Sequence, residues 1–218
     1  MNLSDLSMLI LSFIGKTKAI LDWIYSWIFS KGLKTKKSSI SLPCEVYGVK
    51  YIHIGAGFKA RKGLWLHAIS QYEEYKYSPR ILIGVNVALS KNCHIACIAK
   101  IRIGNNVLIG SNVLITDHHH GNYASKGMTS ESHSSPNSPP ASRPLVGQAI
   151  SIGNDVFIGD NCAVLPGANI GDGSIIGANS VVNTVIPAQH IAAGNPARII
   201  KRYCQKSKAW VRVIEQIN

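Results

Sequence analysis

The sequence predicts an all-β chain wound into a parallel β-helix, with a helix at each end, and three observations carry the prediction. Apolar residues recur at every sixth position: Ile103, Ile109, Ile115, then Ile152, Ile158, Val164, Ile170, Ile176 and Val182. A second column lies two residues upstream of each, from Ile101, Val107 and Val113 to the smaller Ala168, Ser174 and Ser180. Residues two apart on a strand share a face, so both columns point inward. Finally, the steps "IGNN", "IGSN", "IGND", "IGDN" and "IGDG" supply Gly, Asn and Asp, which tolerate the backbone angles of tight corners. A short strand and a corner, repeated every six residues, is the pattern of a stacked coil.

Residues 1–40 come first. Leu3, Leu6, Ile10, Phe13, Thr17, Ile20, Ile24 and Ile28 follow three-and-four spacing, which predicts an amphipathic helix, and "KGLKTKKSS" reads as a basic linker after it. Lys16, Lys18 and Asp22 interrupt the apolar run well short of the roughly 20 residues that cross a bilayer. A basic n-region and cleavage site are also missing, so neither a membrane span nor a signal peptide is expected. Trp23, Tyr25 and Trp27, followed by Lys31, Lys34, Lys36 and Lys37, suit either a cap on the coil or a helix lying on an anionic membrane.

Residues 41–200 form the main domain. Counting back from Ile103 adds Ile83, Leu89 and Ile95, then Ile54, Ala60 and Leu66, and three repeats per turn give about five coils. The step from Leu66 to Ile83 is 17, from Ile95 to Ile103 is 8, and from Ile115 to Ile152 is 37. Each interruption follows the third member of a coil, so every insertion should leave the same corner. The ends of a stack need covering. A short helix over 201–218, with Trp210, Val213 or Ile214, and Ile217 on one side, is expected to cover the second end.

Composition narrows the function. The 218 residues carry 23 Lys and Arg against 11 Asp and Glu, a net charge of +12, which favours anionic partners. No zinc-finger spacing, RNP-type motif or recognition-helix pattern accompanies the charge, so nucleic acid is not expected. The five cysteines are odd in number and lie mostly in apolar stretches, which reads as reduced thiols in a cytoplasmic protein. Cys93 and Cys97 lack a second pair at zinc-site spacing, so no metal is expected there.

The segments "IRIGNNVLIGSNVLIT", "ISIGNDVFIGDNCAVLPGANIGDGSIIGANSVV" and "IPAQHIAAGNPARIIKR" resemble the hexapeptide-repeat acyltransferases over roughly Ile52 to Arg202. That resemblance implies a left-handed β-helix, a homotrimer with active sites between subunits, and acetyl-CoA as donor. The stretch "ITDHHHG", with "SSP" and "SRPL" after it, is most similar to polysaccharide O-acetyltransferases that modify lipopolysaccharide O-antigen. The implied acceptor is a sugar hydroxyl of a bacterial surface polysaccharide precursor, O-antigen or capsule, acetylated in the cytoplasm or at the inner face of the membrane.

Taking a proton from a sugar hydroxyl needs a general base, and histidine titrates close to neutral pH. By the resemblance His120 is the expected base, His118 the runner-up, and Asp117 the group that orients whichever imidazole works. His119 is expected to be a polar loop residue. His94, on an earlier coil, either borders the acceptor cleft or packs between turns. The excursion 117–149 is too rich in Ser, Pro and Gly to hold a core and is expected to wall the acceptor pocket. Within it, Arg143 would contact the glycan or its phosphate, or form a structural salt bridge.

On the donor side the resemblance places the pantetheine arm near Gly159, Asp160, Gly177 and Ala178, with the Asp160 N–H as donor to the thioester oxygen. Phe157 stands where relatives often have tryptophan. Arg198, Lys201 and Arg202 are candidates for the coenzyme phosphates. No serine or cysteine is evidently paired with a base, so direct transfer is expected. Competing readings are an acetyltransferase for a small sugar or antibiotic, a zinc enzyme like the β-helical carbonic anhydrases, and an inert solenoid. The zinc reading is disfavoured because no pair of histidines is spaced five apart.

Overall fold

The computed structural model describes residues 3–123 and 134–213, with side chains described from residue 17 onward. Helix α1 spans Leu3–Gly32, and beyond it the chain winds into a triangular stack of three parallel sheets.

Each sheet is held by one inward column in strict register. On the first face Ile40, Ala60, Leu89, Ile109, Ile158, Ile176 and Ala192 lie above one another. The second face aligns Val46, Leu66, Ile95, Ile115, Val164 and Val182. The third aligns Ile54, Ile83, Ile103, Ile152, Ile170 and Ile186. The upstream column is buried as well, and its late serines are satisfied: Ser174 Oγ donates to the Pro187 carbonyl at 2.8 Å and Ser180 Oγ to that of Gly177 at 2.6 Å. A buried hydroxyl without such a partner would cost stability.

The second and third faces each hold six strands, so the stack has six full coils rather than about five. The additional members are Ile186 at the C-terminal end, followed by Pro187, and Ile40 and Val46 at the N-terminal end, which begins before residue 41 and where Ser41 and Tyr47 stand in place of the glycine step. Helix α1 closes this end. Phe29 and Leu33 are buried, the Phe29 ring stacks on Phe58 at 5.9 Å, and Ser26 Oγ accepts the Ile40 N–H at 2.8 Å.

The corners show why asparagine recurs. Asn86, Asn92, Asn106, Asn112, Asn161 and Asn179 all have φ between 56° and 60°, the left-handed region that asparagine visits more readily than most residues. Their amides form ladders along the stack, Asn92 to Asn112 and Asn112 to Asn161, each 3.0 Å.

Both described excursions leave the corner between the second and third faces, as the spacing predicts. One is a hairpin of Gln71–Tyr72 with Tyr75–Lys76; the other is an antiparallel ribbon of His118–His120 with Leu145–Gly147. They pack on each other: Tyr72 Oη donates to the Ala141 carbonyl at 2.7 Å, and the Leu145 N–H donates to Tyr77 Oη at 2.8 Å.

The C-terminal helix expected over 201–218 is corrected by the structure. Arg198–Cys204 returns antiparallel to His190–Ala193, and Ala209–Arg212 pairs antiparallel with Arg198–Cys204. The last strand of the coil exposes a row of unpaired backbone groups, and a returning strand satisfies them where a helix would not. Trp210 packs edge-on against Tyr203 across this ribbon at 5.4 Å. Ile214 and Ile217, which completed the helical pattern, lie outside the described residues.

Candidate active site

The strand Leu114–Thr116 delivers Asp117 to the corner where the long excursion starts, and its carboxylate is fully buried. Oδ1 accepts the Ile98 N–H at 2.9 Å, while Oδ2 accepts the Ala99 N–H at 2.9 Å and the Cys97 thiol at 3.2 Å. Oδ1 also lies 3.0 Å from His118 Nδ1. Burial alone would raise the carboxyl pKa, but the bonds from His118, Ile98, Ala99 and Cys97 outweigh it and hold the group below its ordinary value. The result is a buried carboxylate whose remaining partner is an imidazole. A carboxylate at Nδ1 favours the tautomer with its proton there, which leaves the Nε2 lone pair to accept one.

The neighbouring histidines are placed differently. His119 and His120 are exposed, and the His120 ring stands edge-on to Tyr72 at 5.3 Å. Of the three in the row, His118 is the one that meets Asp117.

Beneath His118 the outer surface of the second face carries an array of rings. His94 stacks on Trp65 at 4.1 Å, and His67 lies 5.1 Å from Tyr47 and 6.2 Å from Trp65. Burial lowers the pKa of His67 and His94, and the proximity of His118 lowers both further. The Nε2 of His94 is buried without a hydrogen-bond partner among the described residues. Thus His94 both packs between turns and sits beside His118. Sequence reading passed over Tyr47, Trp65, His67, Tyr72 and Tyr77; the available signal was the outward alternation of "LWLHA" and the tyrosines of "QYEEYKY".

Arg143 makes no salt bridge among the described residues. Its guanidinium donates to the carbonyls of Ser135 (3.2 Å) and Ser138 (2.7 Å) and to Tyr123 Oη (2.8 Å), so it ties the base of the excursion together. Residues 124–133 of the expected pocket wall lie outside the described residues.

Gly159, Asp160, Gly177 and Ala178 do come together, at the corner between the first and second faces. A Cβ on Gly159 would come within 2.6 Å of the Ala178 nitrogen, so the coils touch through backbone here. One coil below, the Ser111 N–H donates to Asp160 Oδ1 at 2.6 Å. The corresponding position for the Asp160 N–H is Ala178, whose side chain has no acceptor, and this amide has no hydrogen-bond partner among the described residues. The corner faces His118 across the full width of the second face, with Ala163–Val164 between them. Arg198 and Lys201 line a recess with Arg212 at the C-terminal ribbon, and Arg202, on the same strand as Arg198, lies in register with His190 of the neighbouring strand. Among the described residues no group of three or more His, Cys, Asp or Glu could hold a metal ion.

Comparison with known proteins agrees with the coiled fold. The bacterial transferase hexapeptide pattern (six repeats) matches residues 149–184, and the hexapeptide repeat of succinyl-transferase matches 100–116. A relative in Escherichia coli K12 named as a lipopolysaccharide biosynthesis O-acetyl transferase, WbbJ, is 40% identical over 90% of this chain and 92% of its own. The galactoside O-acetyltransferase of the same organism is 34% identical over 62% of this chain and 61% of its own. Among solved structures, a hexapeptide-repeat acetyltransferase from Vibrio cholerae superposes with a TM-score of 0.55 at 23% identity, covering 88% of this chain and 89% of that one. An N-acyltransferase from Bacillus cereus, in complex with dTDP and coenzyme A, gives 0.55 at 17%, covering 83% and 90%. The chain belongs to the hexapeptide-repeat acetyltransferases, acetyl-CoA-dependent acyltransferases, and is related to those named for lipopolysaccharide O-acetylation.

Proposed function

We propose that the protein transfers an acetyl group from acetyl-CoA to a sugar hydroxyl of a bacterial surface polysaccharide precursor, with His118 as general base. The observation that carries this reading is the pairing of His118 Nδ1 with the buried Asp117 carboxylate, which fixes the ring and stabilises the imidazolium that forms. It favours His118 over His120, whose ring among the described residues has an edge contact with Tyr72.

The acceptor oxygen attacks the thioester carbonyl as its proton passes to His118 Nε2. The Asp160 N–H receives the oxyanion, and collapse expels the coenzyme thiolate, which takes up the proton. The pantetheine arm lies along Gly159, Gly177 and Ala178, with Arg198, Lys201 and Arg202 toward the phosphates. His94 and its neighbouring rings border the acceptor.

Because His118 and Asp160 occupy opposite edges of one face, the site is completed by a second copy of the chain, and a homotrimer on a left-handed coil supplies one such seam per subunit. Residues 1–37 hold the enzyme at the cytoplasmic membrane surface. This is supported by the exposed Ile20, Trp23, Ile24, Trp27 and Ile28 of α1 and the lysines after them. Among the described residues no helix is long and apolar enough to cross a membrane.

The test is acetyl transfer from labelled acetyl-CoA to precursor glycan by purified enzyme. His118→Ala should lower kcat at least about a hundredfold with oligomeric state unchanged, and His120→Ala less than about tenfold. The reverse ranking moves the base to His120. Transfer to small sugars alone replaces the acceptor.

A further inference from the structure

A second chemically defined site lies on the first face, toward the N-terminal end. The outward row there runs Ser39, Lys59, Ala88 and Leu108 in register. The short side chains of Ser39 and Ala88 on either side of Lys59 open a recess of about 430 Å³. Lys59 and Arg61 line it, with the hydroxyl-bearing Ser39, Ser41 and Ser90. Both cations are exposed and flank the inward Ala60, with their Cα atoms about 7 Å apart.

No carboxylate lines the recess. The ion pairs among the described residues are Lys18–Asp22 and His118–Asp117, so neither Lys59 nor Arg61 is neutralised by one. Asp22, whose carboxylate hydrogen-bonds the Ser41 side chain at the lip, is also engaged by Lys18 Nζ at 2.6 Å and the Leu42 N–H at 2.8 Å. Two uncompensated cations over a floor of small residues and hydroxyls suit a compact, multiply charged anion, and a fork-shaped guanidinium suits phosphate oxygens.

We propose that this recess binds the diphosphate of a diphosphate-linked sugar, the acceptor of the reaction. Its placement relative to the chemistry rests on the acetyltransferase reading. Arg61 lies three coils below Gly159, about 14 Å along the stack, so an anchored diphosphate would leave its sugar extended toward the thioester corner. The recess starts on strand Ser39–Ile40, against which α1 packs through Ser26. The diphosphate can come from a polyprenyl carrier in the membrane or from a soluble nucleotide sugar; the exposed Trp23, Ile24 and Trp27 of α1, the helix that packs on the strand where the recess starts, suit the first.

Binding is tested by titrating the full chain with inorganic pyrophosphate in a calorimeter, with melting temperature and acetyl-CoA affinity as controls. Lys59→Ala with Arg61→Ala should weaken pyrophosphate at least about tenfold and leave both controls unchanged, while Lys59→Arg should retain binding. Unchanged pyrophosphate affinity in the double variant overturns the proposal.

Two acceptor arms identify the source: a polyprenyl-diphosphate sugar in phosphatidylglycerol vesicles, and a nucleoside-diphosphate sugar in solution. In the arm that holds the true acceptor the double variant should raise KM about tenfold with little change in kcat; an unchanged KM in both arms overturns the acceptor role. Loss of pyrophosphate binding without acetyl transfer to any acceptor would keep the anion site and sink the acetyltransferase reading instead.

Discussion

One oxygen of Asp117 serves two partners, receiving the Ile98 N–H at 2.9 Å and lying 3.0 Å from His118 Nδ1. The strand that carries the adjacent coil thereby fixes the carboxylate that in turn fixes the imidazole. Asp117→Asn preserves shape but removes the charge. It should cost about 1–3 kcal/mol of stability and lower kcat at least about tenfold with little change in KM for acetyl-CoA. Urea unfolding and steady-state kinetics on one preparation check both. A stability loss with kcat intact would make the carboxylate structural only.

Stability should fall as pH drops from 7 toward 5. His67 and His94 have pKa values below 6.5 in the folded chain, chiefly through burial and secondarily through neighbouring histidines. In that window the unfolded state binds more protons, so their contribution is full above pH 6.5 and lost as pH falls through it toward the folded values. Asp117, held below 3.8, adds a second loss in stronger acid. Melting temperatures across this range should show a slope that His67→Gln with His94→Gln flattens above pH 5.

Asn112 sits at φ 57° and bonds to Asn92 and Asn161 at 3.0 Å each. Asn112→Ala should destabilise by about 1–2 kcal/mol, because alanine resists the left-handed region and both rungs are lost. Asn112→Gly keeps the backbone free and should cost less. Urea midpoints rank the two, and equal losses would assign the cost to the rungs alone.

Thiol labelling should separate the cysteines. Burial raises Cys93 to about 11 and also raises Cys97 and Cys162, whereas hydrogen bonds from Ser207 and Lys206 lower Cys204. At pH 8 iodoacetamide should modify Cys204 first and leave Cys93, Cys97 and Cys162 until the chain unfolds. Mass spectrometry of the labelled peptides reads the order.

Much of this molecule is legible in its sequence because each inward position is repeated: the columns that contain Ile103, Ile109 and Ile115 mark three faces independently. The first two strands of the stack escape because Ile40 and Val46 are followed by Ser41 and Tyr47, so these two corners lack the glycine step that follows Ile54. The terminal ribbon escapes because a few apolar residues around Trp210 fit a helical as well as an alternating period. In the site, the partnership of Asp117 with an adjacent histidine is readable. Which histidine takes part is decided by the amides of Ile98 and Ala99, which sit one coil below and hold the carboxylate. The ring array of Tyr47, Trp65, His67 and His94 draws on three coils, so only the register assembles it.

The two excursions grip each other through Tyr72, Tyr77, Ala141 and Leu145 while the spine of the molecule passes behind them undisturbed. Grafting the long one from a relative without its shorter companion would strand a tyrosine hydroxyl and a backbone carbonyl. Exchange of acceptor preference between homologues should therefore succeed when the pair is moved as a cassette.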